Sequence, residues 1–190
     1  VSAELSADQC YAAPGDEATL VQAAQADPAA FAALYARYYT RVFRYLRART
    51  AGTEEAADLT QQVFLQVLDA LPRYQERGLP FAAWLFRIAA NAATDAHRRR
   101  RPSIGWHVLS GELPGDDGDP ERAALQQERL ERLRALVARL DETQRELLAL
   151  RFAAGLSARE IAAVAGKREG AVKRRLTRII QRLREQYGDA

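Results

Sequence analysis

Near the C-terminus, the stretch AGKREGAVKRRL (165–176) sets one acid, Glu169, among Lys167, Arg168, Lys173, Arg174 and Arg175, with Arg178 and Arg182 farther along. On a helix, Glu169, Lys173 and Arg174 project near the entering end, the part that can reach base edges in a major groove. Arginines on the flank suit phosphates, whereas a carboxylate can accept from cytosine N4 but binds phosphate poorly. A second cluster, RRRR at 98–101, follows a segment holding Phe81, Trp84, Phe86, Arg87 and Asn91. Rings, guanidinium and amide groups in such a mixture can stack on, and hydrogen-bond to, unpaired bases. Both clusters also have a plainer reading. Amphipathic cationic helices are common on protein surfaces, cations at 98–101 suit the negative end of a helix dipole, and the spacing of Phe81, Trp84, Leu85 and Ile88 fits a buried stripe.

No comparable constellation supports catalysis, a cofactor or a metal. His97 and His107 are isolated, and no Gly-rich phosphate loop or paired carboxylates stand out. The single Cys10 excludes an intramolecular disulfide, and no Cys/His spacing resembles a zinc site. The absence of a long apolar run and of signal-peptide order at the N-terminus leads to the expectation of a cytoplasmic chain without membrane insertion.

Charge is segregated along the 190 residues. The net charge is only +3, but residues 1–26 and 102–121 carry acids and no Lys or Arg, while 81–101 and 159–190 are strongly basic. That distribution marks two separate candidate polyanion surfaces.

The elements that must position these residues are helical, because apolar residues recur at three and four while β-branched runs are short. The expected fold class is all-α, with two small helical domains joined by a flexible acidic linker. A tail (1–15) precedes a helix at 17–25; Asp27 and Pro28 then open a long helix with the stripe Phe31, Leu34, Tyr35, Tyr38, Val42, Tyr45 and Leu46. Thr53 is read as the cap of the next helix, whose inner side is Ala56, Val63, Phe64, Val67 and Leu68. After the loop RYQERGL (73–79), a third helix runs from about Pro80 to the basic cluster.

Residues 102–121, rich in Pro, Gly and acids, read as the linker between domains 16–101 and 122–190. Beyond it, Leu125, Leu130, Leu133, Leu136, Val137 and Leu140 mark one helix, and Leu147, Leu148 and Leu150 another. Ser157 and Glu160 form a capping-box pattern for a short helix ending by Gly166. The last helix carries Val172, Leu176, Ile179, Leu183 and Tyr187 inward. Helix, short Gly turn, then a helix with one apolar and one cationic face is the helix-turn-helix pattern.

Three long segments resemble region 2 of bacterial sigma-70 family RNA polymerase sigma factors of the extracytoplasmic-function (ECF, group IV) class: DPAAFAALYARYYTRVFRYL, AADLTQQVFLQVLDALPRY and FAAWLFRIAANAATDAHRRRR. LDETQRELLALRFAAGLSAREIAAVAGKREGAVKRRLTRIIQRLR resembles region 4, so the likeness spans about residues 16–101 and 122–187 in the family's order. The resemblance implies a promoter-specificity subunit with core RNA polymerase (β′ and β subunits), promoter DNA and an anti-sigma factor as partners. It assigns Asp58, Gln61 and Gln62 to polymerase docking. It assigns Arg73, Tyr74, Arg87, Asn91, Arg98, Arg99, Arg100 and Arg101 to the −10 element, and Arg168, Glu169, Lys173, Arg174, Arg175 and Arg178 to the −35 element. Gln62 stands where the family usually has Glu, and Arg168 and Arg174 stand where small hydroxyl residues are common. The residues alone also admit a stand-alone helix-turn-helix regulator, or a helical adaptor with solvated basic faces.

Overall fold

Each half of the chain is built from helices that hide one stripe and cover it with a neighbour. The structure, a computed structural model, describes residues 14–76, 78–99 and 120–188. The first half holds α1 (Pro14–Ala26), α2 (Phe31–Arg47), α3 (Thr53–Ala70) and α4 (Phe81–Arg99). The second holds α5 (Pro120–Ala138), α6 (Glu142–Leu148), α7 (Ala158–Ala165) and α8 (Glu169–Gly188). Among the described residues there is no strand.

Local chemistry sets most of the boundaries. Asp27 accepts a hydrogen bond from the Ala29 N–H (2.9 Å) and caps a 3-10 turn, Pro28–Ala30, which feeds directly into α2. Gly52, in extended backbone, occupies the cap position of α3; Thr53 is the first helical residue rather than the cap. A nearby backbone N–H is met instead by a carboxylate, with Ala51 N–H donating to Glu55 (3.3 Å). Asp141 and Gln144 close a reciprocal capping box on α6, as Ser157 and Glu160 do on α7. The end of α6 widens into a π-helical turn, Ala149–Ala153, in which Ala154 N–H reaches back five residues to the Ala149 carbonyl (3.0 Å).

The core of the first half is Leu34, Tyr38, Val42, Tyr45 and Leu46 of α2 against Ala56, Val63, Phe64 and Val67 of α3 and Phe81, Leu85, Phe86 and Ala89 of α4. Each fully buried Leu or Phe contributes about 1.5–3 kcal/mol to the packing. Two residues expected inside lie at the edge. Tyr35 is turned off the α2 stripe and rests on Tyr39 and Phe64 at ring distances of 5.2 and 4.6 Å, while Leu68 lies beyond Phe64, outside the buried arc of α3. In the second half, Val137, Leu140, Leu147, Leu150, Ile161, Val172, Leu176 and Ile179 form the core, and Leu136 is buried as well. Leu125 is exposed, against expectation, because residues 124–129 of α5 are covered by no other helix.

The halves touch. Helix α7 packs on α4, and the turn after α6 packs on α2, so the two groups of core residues form one continuous cluster. No described helix is long and apolar enough to cross a membrane.

Candidate nucleic-acid interface

Gly166 shapes the helix-turn-helix. It closes α7 with φ +63°, the left-handed region that side chains other than glycine's enter at a cost, and its N–H returns to the Ala162 carbonyl. Glu160 is buried, its carboxylate accepting from the Ser157 N–H at 2.7 Å, so α7 is anchored at its first turn. Helix α8 then starts at Glu169 after Arg168, whose carbonyl accepts from the Ala171 and Val172 N–H groups (2.9 and 3.1 Å). Val172, Leu176 and Ile179 face inward, leaving Arg168, Lys173, Arg174, Arg175 and Arg178 exposed and Glu169 half-buried. Lys173 pairs with Glu169 (2.6 Å), while Arg175 lies 3.6 Å from Asp141. Exposed pairs of this kind are weak and readily exchanged for phosphate contacts. Five of the six sequence-predicted residues therefore share the first three turns of one cationic helix, and the sixth, Arg168, stands immediately before it.

Of the second predicted set, Arg73 and Tyr74 lie in the loop between α3 and α4, Arg87 and Asn91 lie along α4, and Arg98 and Arg99 lie at its far end, about 25 Å from the loop. A 3-10 turn, Leu71–Arg73, ends with the chain leaving in extended backbone at Tyr74. The Tyr74 ring stands edge-on to Phe81 (5.5 Å, 90°) and lies 4.8 Å from Trp84; its hydroxyl donates to the Leu79 carbonyl at 3.4 Å. Burial pushes the Tyr74 phenol up to about 12, with Glu76 and Glu17 adding to the effect, so it stays a donor at neutral pH. Trp84 is half-buried rather than core, on the same flank of α4 as the exposed Arg87 and Asn91. Arg73, Arg98 and Arg99 are exposed as well; Arg100 and Arg101 lie outside the described residues, as do Cys10 and the linker up to residue 119. This is an aromatic, cationic and amide-bearing surface of the kind that holds unstacked bases.

Helix α3 has the opposite character. It carries Glu54, Glu55, Asp58 and Asp69 and no cation, and Asp58, Gln61 and Gln62 are all exposed. Leu65, 63% exposed, and Leu68 lie on the same outer side. A phosphate backbone would be repelled there, whereas a basic helix with apolar side chains fits.

Sequence reasoning missed the contacts between the halves. Arg49, just past α2, forms ion pairs with Glu142 and Glu146 of α6; its Nε lies 2.9 Å from Glu146 Oε2. The buried Tyr45 hydroxyl donates to Glu146 (2.6 Å), and Arg41 Nε donates to the Ala154 carbonyl (2.8 Å). Burial raises Tyr45 well above its ordinary value, with Glu146 adding to the shift. Burial alone would lower Arg49, but Glu146, Tyr45 and Glu142 outweigh it and raise the guanidinium. Across the same boundary, a cleft of about 960 Å³ is lined by α1, α2, loop residues between Tyr74 and Pro80, the first residues of α4 and the start of α7. One-dimensional periodicity contains no signal for such pairs, since each partner reads as an ordinary surface charge.

Among the described residues, no group of three His, Cys, Asp or Glu could hold a metal ion. The Sigma-70 region 2 family model matches residues 34–102, and the Sigma-70 region 4 model matches residues 130–183. The chain is 40% identical over 151 residues to the ECF RNA polymerase sigma factor SigD of Mycobacterium tuberculosis, covering 76% of this chain and 71% of SigD. It is 36% identical to the ECF sigma factor ShbA of Streptomyces griseus, covering 89% of this chain and 96% of ShbA. Among solved structures, CnrH in complex with the cytosolic domain of CnrY is similar at TM-score 0.65 and 27% identity, over 88% of this chain and 94% of that one. RpoE of Bartonella quintana, in complex with the anti-sigma factor NepR, shares the fold at TM-score 0.60 and 22% identity, over 82% and 95% of the two chains. With both region matches in order and close relatives aligned over most of their length, the chain belongs to the ECF family of RNA polymerase sigma factors.

Proposed function

We propose that this chain directs core RNA polymerase to specific promoters, with the roles divided as the residues are. The outer side of α3, through Asp58, Gln61 and Gln62, docks on the polymerase. The 71–80 loop and α4, through Arg73, Tyr74, Arg87, Asn91 and the cations from Arg98 on, capture the opened −10 element. Helix α8, through Arg168 to Arg178, reads the −35 element as duplex. The chain needs no active site of its own, because capture of unstacked bases and polymerase binding offset the unpairing cost, a few kcal/mol for a flipped base. The protein acts in the cytoplasm, in domains of about 16–101 and 122–190. An anti-sigma partner is supported by the CnrH relative, solved in complex with CnrY.

One observation carries this reading: the α8 and α4 surfaces are cationic and open to solvent, while α3, packed beside α4, is acidic and equally open. A stand-alone repressor gives no reason for that third surface, and an adaptor gives none for the two cationic ones. The halves must also part on promoter DNA. Elements near −35 and −10 lie roughly 25 base pairs apart, or about 85 Å at about 3.4 Å per pair. Helices α4 and α8 both pack on α7, which at about 8–10 Å per helix contact places them about 20 Å apart.

Run-off transcription with purified core polymerase on a library of genomic promoters tests the proposal. Promoter-dependent transcripts are expected only when this chain is added. Duplex binding without any transcript would instead favour a stand-alone regulator.

A further inference from the structure

We infer that α1 is part of the promoter-opening machinery and that Gln25 is its positioning residue, holding the loop that captures the −10 element. The inference rests on the reading of the 71–80 loop given above. Helix α1 lies before the stretch matched by the region 2 family model, which begins at residue 34, yet it is built into the same bundle through the buried Val21 and Ala24.

From α1, the single side-chain amide of Gln25 donates to two carbonyls, Leu71 O at 3.0 Å and Tyr74 O at 2.7 Å. These carbonyls bracket the 3-10 turn at the end of α3, at the point where the chain turns extended. An amide NH₂ has two donors, and both are used here. The consequence falls on Tyr74. With its carbonyl fixed by Gln25 and its N–H donating to Leu71 O (3.0 Å), the Tyr74 backbone has little freedom. Its ring is then fixed against Trp84 and Phe81. A base can stack only on rings that are already in place, and misplacement by an ångström is costly when binding depends on orientation.

A second contact reaches the same loop from the other half: Arg159 of α7 donates to the Gly78 carbonyl at 3.3 Å. That bond is lost when the halves separate to span a promoter. The Gln25 bonds lie within the first half and persist, so Gln25 is the hold that matters in the open form.

The test uses the full-length chain with core polymerase, on a promoter selected from a randomised library by the parent holoenzyme. Gln25→Leu removes both donors, and Gln25→Glu keeps the size but leaves only acceptors facing two carbonyls. Both variants should bind core polymerase and −35 duplex within about twofold of the parent. Both should lose about tenfold in open complex, read by permanganate reactivity of unpaired thymines, and in affinity for a single-stranded −10 oligonucleotide. Gln22→Leu, one turn earlier on the same cleft, is the control and should behave as the parent. Open-complex yield within twofold of the parent for Gln25→Leu and Gln25→Glu would overturn the inference. So would a parallel loss of core and −35 binding, which would mark a structural role only. A parent chain that opens no promoter would overturn the underlying reading, a result distinct from either of these.

Discussion

Arg49 Nε lies 2.9 Å from Glu146 Oε2 across the boundary between the two sigma regions, with the Arg49 side chain only 7% exposed. A guanidinium so shielded is tolerable because Glu142 and Glu146 both face it. Removing both carboxylates leaves the shielded Arg49 charge without a partner, whereas Glu142 and Glu146 are partly exposed and lose less when Arg49 is removed. The pair thus works as a latch between the halves, and the separation proposed for promoter binding would exchange it for solvent.

Breaking the latch should open the molecule without unfolding it. Arg49→Ala is expected to weaken docking of the halves by about 2 kcal/mol, given a hydrogen-bonded charge pair at a partly exposed site. Fluorescence energy transfer between dyes on α3 and α8 should report the separation. The charge swap Arg49→Glu with Glu146→Arg should restore part of the contact; a swap no better than the sum of its single changes would argue against direct coupling.

Acid should loosen the same contact. Burial alone would raise Glu142, but Arg49 and Arg145 outweigh it and hold the carboxyl below its ordinary 4.5. A group lowered in the packed state stabilises that state above its ordinary value and loses the contribution as pH falls through the lowered one. Glu17 runs the other way: burial, with Glu160 adding, raises it against Arg37 and Arg41, so its contribution is gained on protonation and lost as pH rises. Glu142's share of the response is a fall in the parent's energy-transfer signal below pH 4.5; Arg49→Ala should lose most of that share and leave the opposite response of Glu17.

The cations of α8 are expected to act as phosphate contacts. Lys173→Ala, Arg174→Ser and Arg178→Ala should each reduce the salt slope of −35 duplex binding by about 1, with similar loss on all sequences. Glu169→Ala should instead change which base is preferred at one position. Salt titrations on a panel of duplexes separate the two, and an Arg174→Ser slope equal to the parent's would remove Arg174 from the interface.

On α3, Leu65→Lys should cost polymerase affinity and little else. An exposed leucine beside Asp58, Gln61 and Leu68 contributes nothing to the core, so the melting temperature should stay within about a degree, while core binding falls about tenfold. Fluorescence-anisotropy titration with core polymerase, paired with thermal melts, provides the check.

Loss of the α7 cap should be felt in α8. Ser157→Ala removes the acceptor for the Glu160 N–H (3.2 Å) and should destabilise α7 by about 1 kcal/mol. Because α7 braces α8, −35 binding should weaken along with the melting temperature.

Much of this was legible in the sequence because it depends on residues near one another in the chain. The S-x-x-E box, the glycine after α7, the Asp27-Pro28 entry and the Val172–Leu176–Ile179 stripe all follow from the helical repeat and cap chemistry. So does the all-α class, and the region motifs identified the family. Edge positions were less legible. Tyr35, Leu68 and Leu125 are apolar and in register, but whether a stripe residue is covered depends on how wide the neighbouring helix is and where it stops. The pattern of one helix carries no information about the next. The same limit explains Gln25 and Arg49, whose partners lie 46 or more residues away. The sequence by itself determined which helices form, which faces are cationic or acidic, and the order of the two regions. Only the tertiary structure decided that α7 rests on α4, that Arg49 meets Glu142 and Glu146, and that Gln25 holds the loop carrying Tyr74. Those are pairings between distant segments, selected by shape and burial when the helices pack, and local propensity has no part in them.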